Sequence, residues 1–268
     1  MTGLIIIGDE ILSGRRQDKH LAKAIELLSE RGMRVDWVRY VGDDPARITA
    51  DIRHAIDSDD VVFSFGGIGA TPDDHTRACA ARALGVPLVL HPEARPLILQ
   101  RVQELALETG QPFDEHSADT LRRLQMGEFP EGARIIPNPY NRIPGFSLLG
   151  RVHFVPGFPV MAWPMVAWVL DHWHRDLHGQ ARAEERSVIV PGAIESVLTP
   201  LMVEIEARFA TVKVFSLPSV DHPVHGRHIE LGVKGQGPEV AQAFDALKAG
   251  LGHVGASFGT ESVRMLGA

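Results

Sequence analysis

The chain has 268 residues, 44% hydrophobic and 23% charged, the balance of a soluble chain long enough for one large domain and a small one. Its formal net charge of −7, from 27 Lys plus Arg against 34 Asp plus Glu, argues against a nucleic-acid backbone binder, which needs a basic face. The single cysteine, Cys79, excludes an internal disulfide and fits a reducing cytoplasm.

No basic start or small-residue cleavage site precedes "LIIIGDEIL". The apolar run "VMAWPMVAWVL" is too short to span a bilayer and carries Pro164. The expectation is a cytoplasmic protein without a signal peptide or membrane span.

In chain order, Leu4–Gly8 is a short apolar run that reads as a strand buried on both faces. Leu21, Ile25 and Leu28 recur at helical spacing, with Gly32 as a stop. Val35–Val41 alternates as a strand does. "DDPARITADIRHAI" carries an acidic start, Pro45, and Ile48, Ile52 and Ile56 four residues apart, which predicts a helix. "DVVFSFGG" is the third strand. "DDHTRACAARALG" reads as a helix with aspartates in its first turn and Gly85 at its end. This strand–helix alternation predicts a mostly parallel sheet whose ligands bind beyond the carboxyl ends of the strands. Those ends read "IGDE", "VGDD" and "FGGIGATPDD", and all three carry carboxylates.

Further on, Glu93–Thr109 and "DEHSADTLRRLQM" read as helices. "ARIIPNPYNRIPGFSLLGRVHFVPGFP" reads as short strands broken by Pro and Gly, and "VMAWPMVAWVLDHWHRDL" as a closing helix. The polar stretch "HGQARAEER" places a boundary near Gln180, giving an α/β domain over 1–178 and a small α+β domain over 181–268. In the latter, "RSVIVPG", "TVKVFSLP" and "RHIELGVKG" read as strands. "IESVLTPLMVEIEARF" and "PEVAQAFDALKAGL" read as two helices on one face of a small open sheet.

"FGGIGATPDDHT" (Phe65–Thr76) holds the densest chemistry. Gly66, Gly67 and Gly69 let backbone N–H groups approach a ligand, and a loop feeding a helix N-terminus is an anion site. Asp73, Asp74 and Thr76 fall where that helix is expected to begin, so capping is the competing reading. No G-K-[ST] follows, and the spacing is not G-x-G-x-x-G, so neither a P-loop nor a dinucleotide fingerprint is present. In "GDEILSGRRQDKH", Asp9 and Glu10 follow the first strand. Ser13 and Gly14 offer a hydroxyl and a bare N–H to a phosphate, and Asp18 reads as an N-cap. In "VGDDPARI", Asp43 and Asp44 end the second strand and cap the next helix. Carboxylates on neighbouring strand ends also suit a shared divalent ion.

Taken together, "GDEILSG…QDKHLAKAIELL", "VGDDPARI" and "FGGIGATPDDHTRACAARALG" resemble the molybdopterin-binding domain of molybdopterin adenylyltransferases, MoaB proteins and the N-terminal part of the competence/damage-inducible protein A (CinA) family. "NPYNRIPGF" and "VPGFPVMAWPM" are similar to later loops of the CinA branch, so the resemblance spreads over about the first 175 residues. It implies a three-layer α/β/α fold, a homo-oligomer (dimer or trimer) and a pocket at the strand rim. It also implies a nucleotide or pterin as ligand, with no nucleic acid or membrane as partner. For the CinA branch it implies hydrolysis of nucleotide pyrophosphates such as ADP-ribose or FAD to AMP, dependent on Mg, Mn or Co. The alternatives are adenylyl transfer to molybdopterin and a non-catalytic pterin- or nucleotide-binding module.

By the same resemblance, Asp43 and Asp74 carry the catalytic step, and Asp43, Asp73 and Asp74 hold the metal. The ligand contacts match Asp9, Glu10, Ser13, Gly14, Asp18, Gly66, Gly67, Gly69, Thr71 and Thr76. In the later loops they match Asn138, Pro144, Gly145, Pro156 and Gly157. Two departures mark this chain: Ala70 stands where the family often has proline, and Asn141 and Ile143 replace small residues of the later loop. The resemblance leaves no room for the nicotinamide-nucleotide deamidase domain of longer CinA proteins.

Four other features read as structural. His172, His174 and His178 form a solvated helix end, although His174 and His178 have the spacing of metal ligands, and "DHPVHGRH" reads the same way. Cys79 is a small buried residue. Trp163, Trp168 and Trp173 pack against a neighbouring helix or subunit.

Overall fold

The first strand, β1 (Thr2–Ile7), is buried along its whole length. Such a strand needs cover on both faces. It has it: Ile5 and Ile7 join a core cluster with Ile48, Ile52 and Ala80, while Leu4 and Ile6 are equally buried on the other side. The computed structural model describes residues 1–180 and 183–266. They divide into two units, one of Met1–Leu28 and Arg34–Leu177, the other of Ser29–Met33 and the residues from His178 onward.

In the first unit, β1 is followed by α1 (Asp9–Leu12), α2 (His20–Ser29), β2 (Trp37–Val41), α3 (Pro45–Asp57), β3 (Val61–Phe65) and α4 (Thr76–Leu84). Then come β4 (Leu88–Leu90), α5 (Ala94–Thr109), α6 (Ala118–Leu124), β5 (Glu128–Pro130), β6 (Arg134–Ile136), β7 (Gly145–Leu148), β8 (Val152–Val155) and α7 (Pro159–Trp173). Six strands form one sheet in the order β2-β1-β3-β8-β7-β6. The β1–β2, β1–β3 and β3–β8 pairings are parallel, and β7 and β6 add antiparallel strands at one edge. The mostly parallel α/β sheet expected from the sequence is therefore the fold. The chain leaves β1 toward β2 and then crosses to β3 on the other side, so the strand order reverses at β1. That reversal opens a crevice at the carboxyl end of β1.

Local signals explain several helix ends. Asp44 caps α3, accepting from the N–H groups of Ala46 and Arg47 at 2.8 and 2.9 Å, with Pro45 in the first turn. Gly85 ends α4 in the left-handed conformation. Four expectations are corrected. Ile25 is 47% exposed; the buried stripe of α2 is His20, Ala24, Leu27 and Leu28. Asp73 and Asp74 do not lie in the first turn of α4, which starts at Thr76 after His75. His174 is no solvated helix end: it is buried, and its Nε2 lies 2.7 Å from Nε2 of the fully buried His153. The helix stops at Trp173, so His174 and His178 do not share a helix face.

The second unit pairs β9 (Ala183–Pro191), β10 (Val212–His222), β11 (Gly226–Gly235) and β12 (Glu261–Leu266) in the antiparallel order β10-β11-β9-β12. Its helices α8 (Glu195–Arg208) and α9 (Glu239–His253) bury Leu198, Ile205, Phe244 and Leu247 against Val188, Leu231 and Val233. Residues 181 and 182, inside the expected "HGQARAEER" boundary, lie outside the described residues. Among the described residues no helix is long and apolar enough to cross a membrane.

Candidate functional site

Three carboxyl-terminal strand ends build one rim. β1 runs out at Gly8 and delivers Asp9 and Glu10 as the first residues of α1. β2 runs out at Val41, whose carbonyl accepts the N–H of Gly8 at 3.0 Å, and delivers Asp43. Asp9 and Asp43 then clasp each other. The N–H of Asp9 donates to Oδ2 of Asp43 at 2.9 Å, and the N–H of Asp43 donates to Oδ1 of Asp9 at 3.2 Å. Gly42 makes this possible, since a Cβ there would stand 2.4 Å from Oδ1 of Asp9.

Carboxylates crowd at this point. Burial pushes the Asp43 carboxyl above its ordinary range, and the charges of Asp9, Glu10 and Asp73 push the same way. The N–H of Asp9 offsets part of the rise. Asp73 thus belongs to the field around Asp43.

The turn after β3 divides its labour. The N–H of Gly66 donates to Val155 O at 3.0 Å, so it is not free for a ligand. Thr76 is fully buried and stitches the turn shut, its N–H donating to Gly67 O at 2.9 Å and its hydroxyl to Gly66 O at 3.0 Å. The glycines fit against their own chain. A Cβ at Gly66 would meet Ile7 O at 2.6 Å, one at Gly67 would meet Thr76 Oγ1 at 2.1 Å, and one at Gly69 would meet Asp74 Oδ2 at 2.6 Å. Oδ2 of Asp74 accepts from the N–H and hydroxyl of Thr71 at 2.8 and 2.5 Å. The buried Arg77 donates through Nη2 to Gly69 O at 2.7 Å and through Nη1 to Gln125 O. What this scaffold leaves open are the N–H groups of Gly67, Ile68, Gly69 and Ala70, which have no acceptor among the described residues. Successive open N–H groups of this kind form an anion nest.

Beside the rim lies a pocket of about 270 Å³. Ile6, Ile7 and Phe65 from the ends of β1 and β3 form its apolar part. Gly157 and Pro159 come from the loop after β8, and Glu10, Ile11, Arg16, Gln17, Lys19 and His20 from the α1–α2 segment. Of the residues anticipated from sequence, Glu10 and Gly157 line it. Arg16, Lys19, His20 and Phe65 were not anticipated; all lie within or beside quoted motifs, yet no spacing rule marks them.

Other anticipated residues stand elsewhere. Ser13 and Gly14 are exposed in the turn after α1, and the N–H of Gly14 donates to Ile11 O at 3.1 Å, so it is not the bare donor expected. Asp18 is the cap of α2: its oxygens accept from the N–H groups of His20 and Leu21 at 2.8 and 3.1 Å. The Tyr40 hydroxyl also donates to it at 2.8 Å, and burial together with that carboxylate pushes the phenol up to about 12. Asn138 closes its own loop, donating to Asn141 Oδ1 and Ile143 O and accepting from the N–H of Tyr140. Gly145, next to Pro144, is a packing glycine whose Cβ would meet Phe154 O at 2.3 Å. Pro156 leads from β8 into the loop that presents Gly157 to the pocket.

Among the described residues, no group of three or more His, Cys, Asp and Glu side chains is arranged to hold a metal ion. The rim still suits one kind of cation. Asp9, Glu10, Asp43 and Asp73 offer only oxygen, and the charges of the other three add to the burial that raises Asp43. That donor set fits a hard divalent ion of the magnesium type, held by one or two carboxylates with the rest from substrate phosphates and water.

Comparison with known proteins bears on this site. The family described as "Probable molybdopterin binding domain" matches residues 3–175. A CinA-like protein of Mycobacterium marinum is 30% identical over 221 residues, 81% of this chain and 46% of its own length. A protein of Pyrobaculum calidifontis is 30% identical over 254 residues, 92% of each chain. The solved structure of CinA from Thermoplasma acidophilum, described as of unknown function, is 29% identical with a TM-score of 0.52, covering 66% of this chain and 96% of that one. The chain spans less than half the length of the first CinA-like relatives it matches.

Proposed function

The chain belongs to the molybdopterin-binding domain family, and on that premise we propose that it is a metal-dependent nucleotide pyrophosphatase that cleaves an ADP-ribose- or FAD-like substrate and releases AMP. The observation that carries this reading is the open run of N–H groups from Gly67 to Ala70 on the turn whose Asp73 adds to the field around Asp43. Phosphoryl transfer asks a protein mainly for positioning and charge compensation. A bound divalent ion supplies neutralisation of phosphate charge and a more acidic water.

The chain's own residues do the rest. The N–H groups of Gly67, Ile68, Gly69 and Ala70 hold phosphate oxygens. Asp43, whose raised pKa suits a proton acceptor, orients the water and takes its proton as the new P–O bond forms and the bridging P–O bond breaks. One or two of the rim carboxylates, Asp73 among them, would hold the ion together with substrate phosphates and water, while Asp74 keeps Thr71 and the turn in shape. The Arg16 and Lys19 side chains at the pocket counter the remaining phosphate charge.

A second reading rests on the family description itself: the same pocket takes molybdopterin, and the chain transfers adenylyl from ATP to it. Incubation with ADP-ribose, FAD or ATP plus a pterin acceptor, each with Mg, Mn or Co, separates the two. AMP from ADP-ribose or FAD supports the hydrolase. AMP loaded only onto the pterin overturns it in favour of the transferase, and binding without turnover overturns both in favour of a carrier.

A further inference from the structure

His20 is the first residue of α2, only 5% exposed, and part of the pocket wall. Its ring stacks on Phe65 with centroids 4.5 Å apart and planes 29° apart. Nε2 lies 3.1 Å from the carbonyl oxygen of Gly157. A carbonyl oxygen only accepts, so Nε2 carries the proton, and in the neutral ring Nδ1 is a bare acceptor. Burial keeps the ring neutral by pushing its pKa below the ordinary value, against the smaller opposing pulls of the Gly157 carbonyl and Asp18. Nδ1 is shut off from water and has no hydrogen-bond partner.

A buried acceptor without a donor is uncommon and calls for an explanation. Neither capping nor packing supplies one here. Asp18 is bonded to the backbone N–H of His20, and the stack on Phe65 engages the ring face. The wall is apolar at Ile6, Ile7, Ile11 and Phe65 and carries Arg16, Lys19 and Glu10 as its charged groups, an apolar surface for a flat heterocycle with polar groups beside it.

We propose that His20 reads the ligand's ring, its Nδ1 accepting a hydrogen bond from an amino group on a nitrogen heterocycle of the purine or pterin kind. This deepens the pyrophosphatase reading and rests on its placement of a nucleotide at the rim. Because Nδ1 is closed to solvent, a donor arriving with the ligand displaces no hydration there. An otherwise equal ring lacking the amino group leaves the acceptor unpaired and binds more weakly.

Calorimetric titration of the intact chain tests this with two ligand pairs. One is AMP and purine riboside 5′-monophosphate, which lacks the amino group; the other is 6-hydroxymethylpterin and its 2-deamino analogue. The pair that binds identifies the ring. Within it the wild type is expected to prefer the amino compound by about tenfold. Two variants separate the ring's two nitrogens. His20→Asn keeps an acceptor near Nδ1 and retains the preference, whereas His20→Gln keeps a donor toward Gly157 and loses it. Equal affinity within the binding pair, a preference surviving in His20→Gln, or no binding of either pair overturns the assignment. AMP release from ADP-ribose is measured in parallel. Ring discrimination without turnover leaves His20 standing and removes the hydrolase reading; turnover without discrimination does the reverse.

Discussion

Asp43 carries its charge among other charges, and that has a cost in the ligand-free protein. Its folded pKa is raised by burial first and then by Asp9, Glu10 and Asp73. A raised carboxyl contributes stability that is full below the unfolded value of about 3.9 and is lost as pH rises through the folded value. Asparagine at this position stays neutral and can still accept the N–H of Asp9. The expected outcome is that Asp43→Asn melts higher than wild type at pH 8 without divalent ions, and that the gap closes near pH 4. A lower melting temperature for the variant at pH 8 contradicts the crowding. The carboxylates at the strand ends were legible in the sequence because acidic residues directly after apolar runs fall at the rim. His20 was not, because its role depends on the Gly157 carbonyl, 137 residues away in the chain. Nor was the clasp between Asp9 and Asp43.

The turn Gly66–Thr76 shows how an element can mislead when read alone. Its glycines read as room for a ligand. In the fold Gly66, Gly67 and Gly69 first make room for Ile7, Thr76 and Asp74, and the N–H groups without an acceptor are what this packing leaves over. Two glycines with similar backbone separate steric demand from conformational strain. Gly67 has φ +69° and would drive a Cβ into the buried Thr76 hydroxyl, whereas Gly14 has φ +72° and open space around it. Gly14→Ala is expected to lose about 1 kcal/mol from left-handed strain alone. Gly67→Ala is expected to lose clearly more in urea denaturation, and equal losses would contradict the packing role. Helices with strong local signals, such as α3 with Asp44 and Pro45, were readable from sequence. The short strands β4 and β12 were not, since three apolar residues in the one and six of mixed polarity in the other acquire strand geometry only from their partners β5 and β9. His174 was misread for the same reason: only the tertiary fold brings it to His153.

At the scale of the molecule, each unit has its own apolar core: Ile5, Ile52, Phe129 and Phe146 are among the residues of one, Leu198, Leu231 and Phe244 among those of the other. All four tryptophans and the buried Cys79 lie in the first unit, so indole fluorescence and thiol reactivity report on it alone, whereas circular dichroism reports on both. In a urea titration the first two probes are expected to move together, with the dichroism showing a further transition; one coincident transition by all probes would contradict separate cores. The fold class was legible because strand–helix alternation and the apolar runs agree with each other, and the family blocks lie on that frame. The central claim is that the rim of β1, β2 and β3 hydrolyses a nucleotide pyrophosphate. Its most direct test is AMP release from ADP-ribose by the intact chain with a divalent ion, beside Asp43→Asn. The account predicts ion-dependent AMP formation that falls at least a hundredfold in the variant, on the order of the contribution of a positioned general base. No AMP with any of the three ions, or undiminished release by Asp43→Asn, would contradict it.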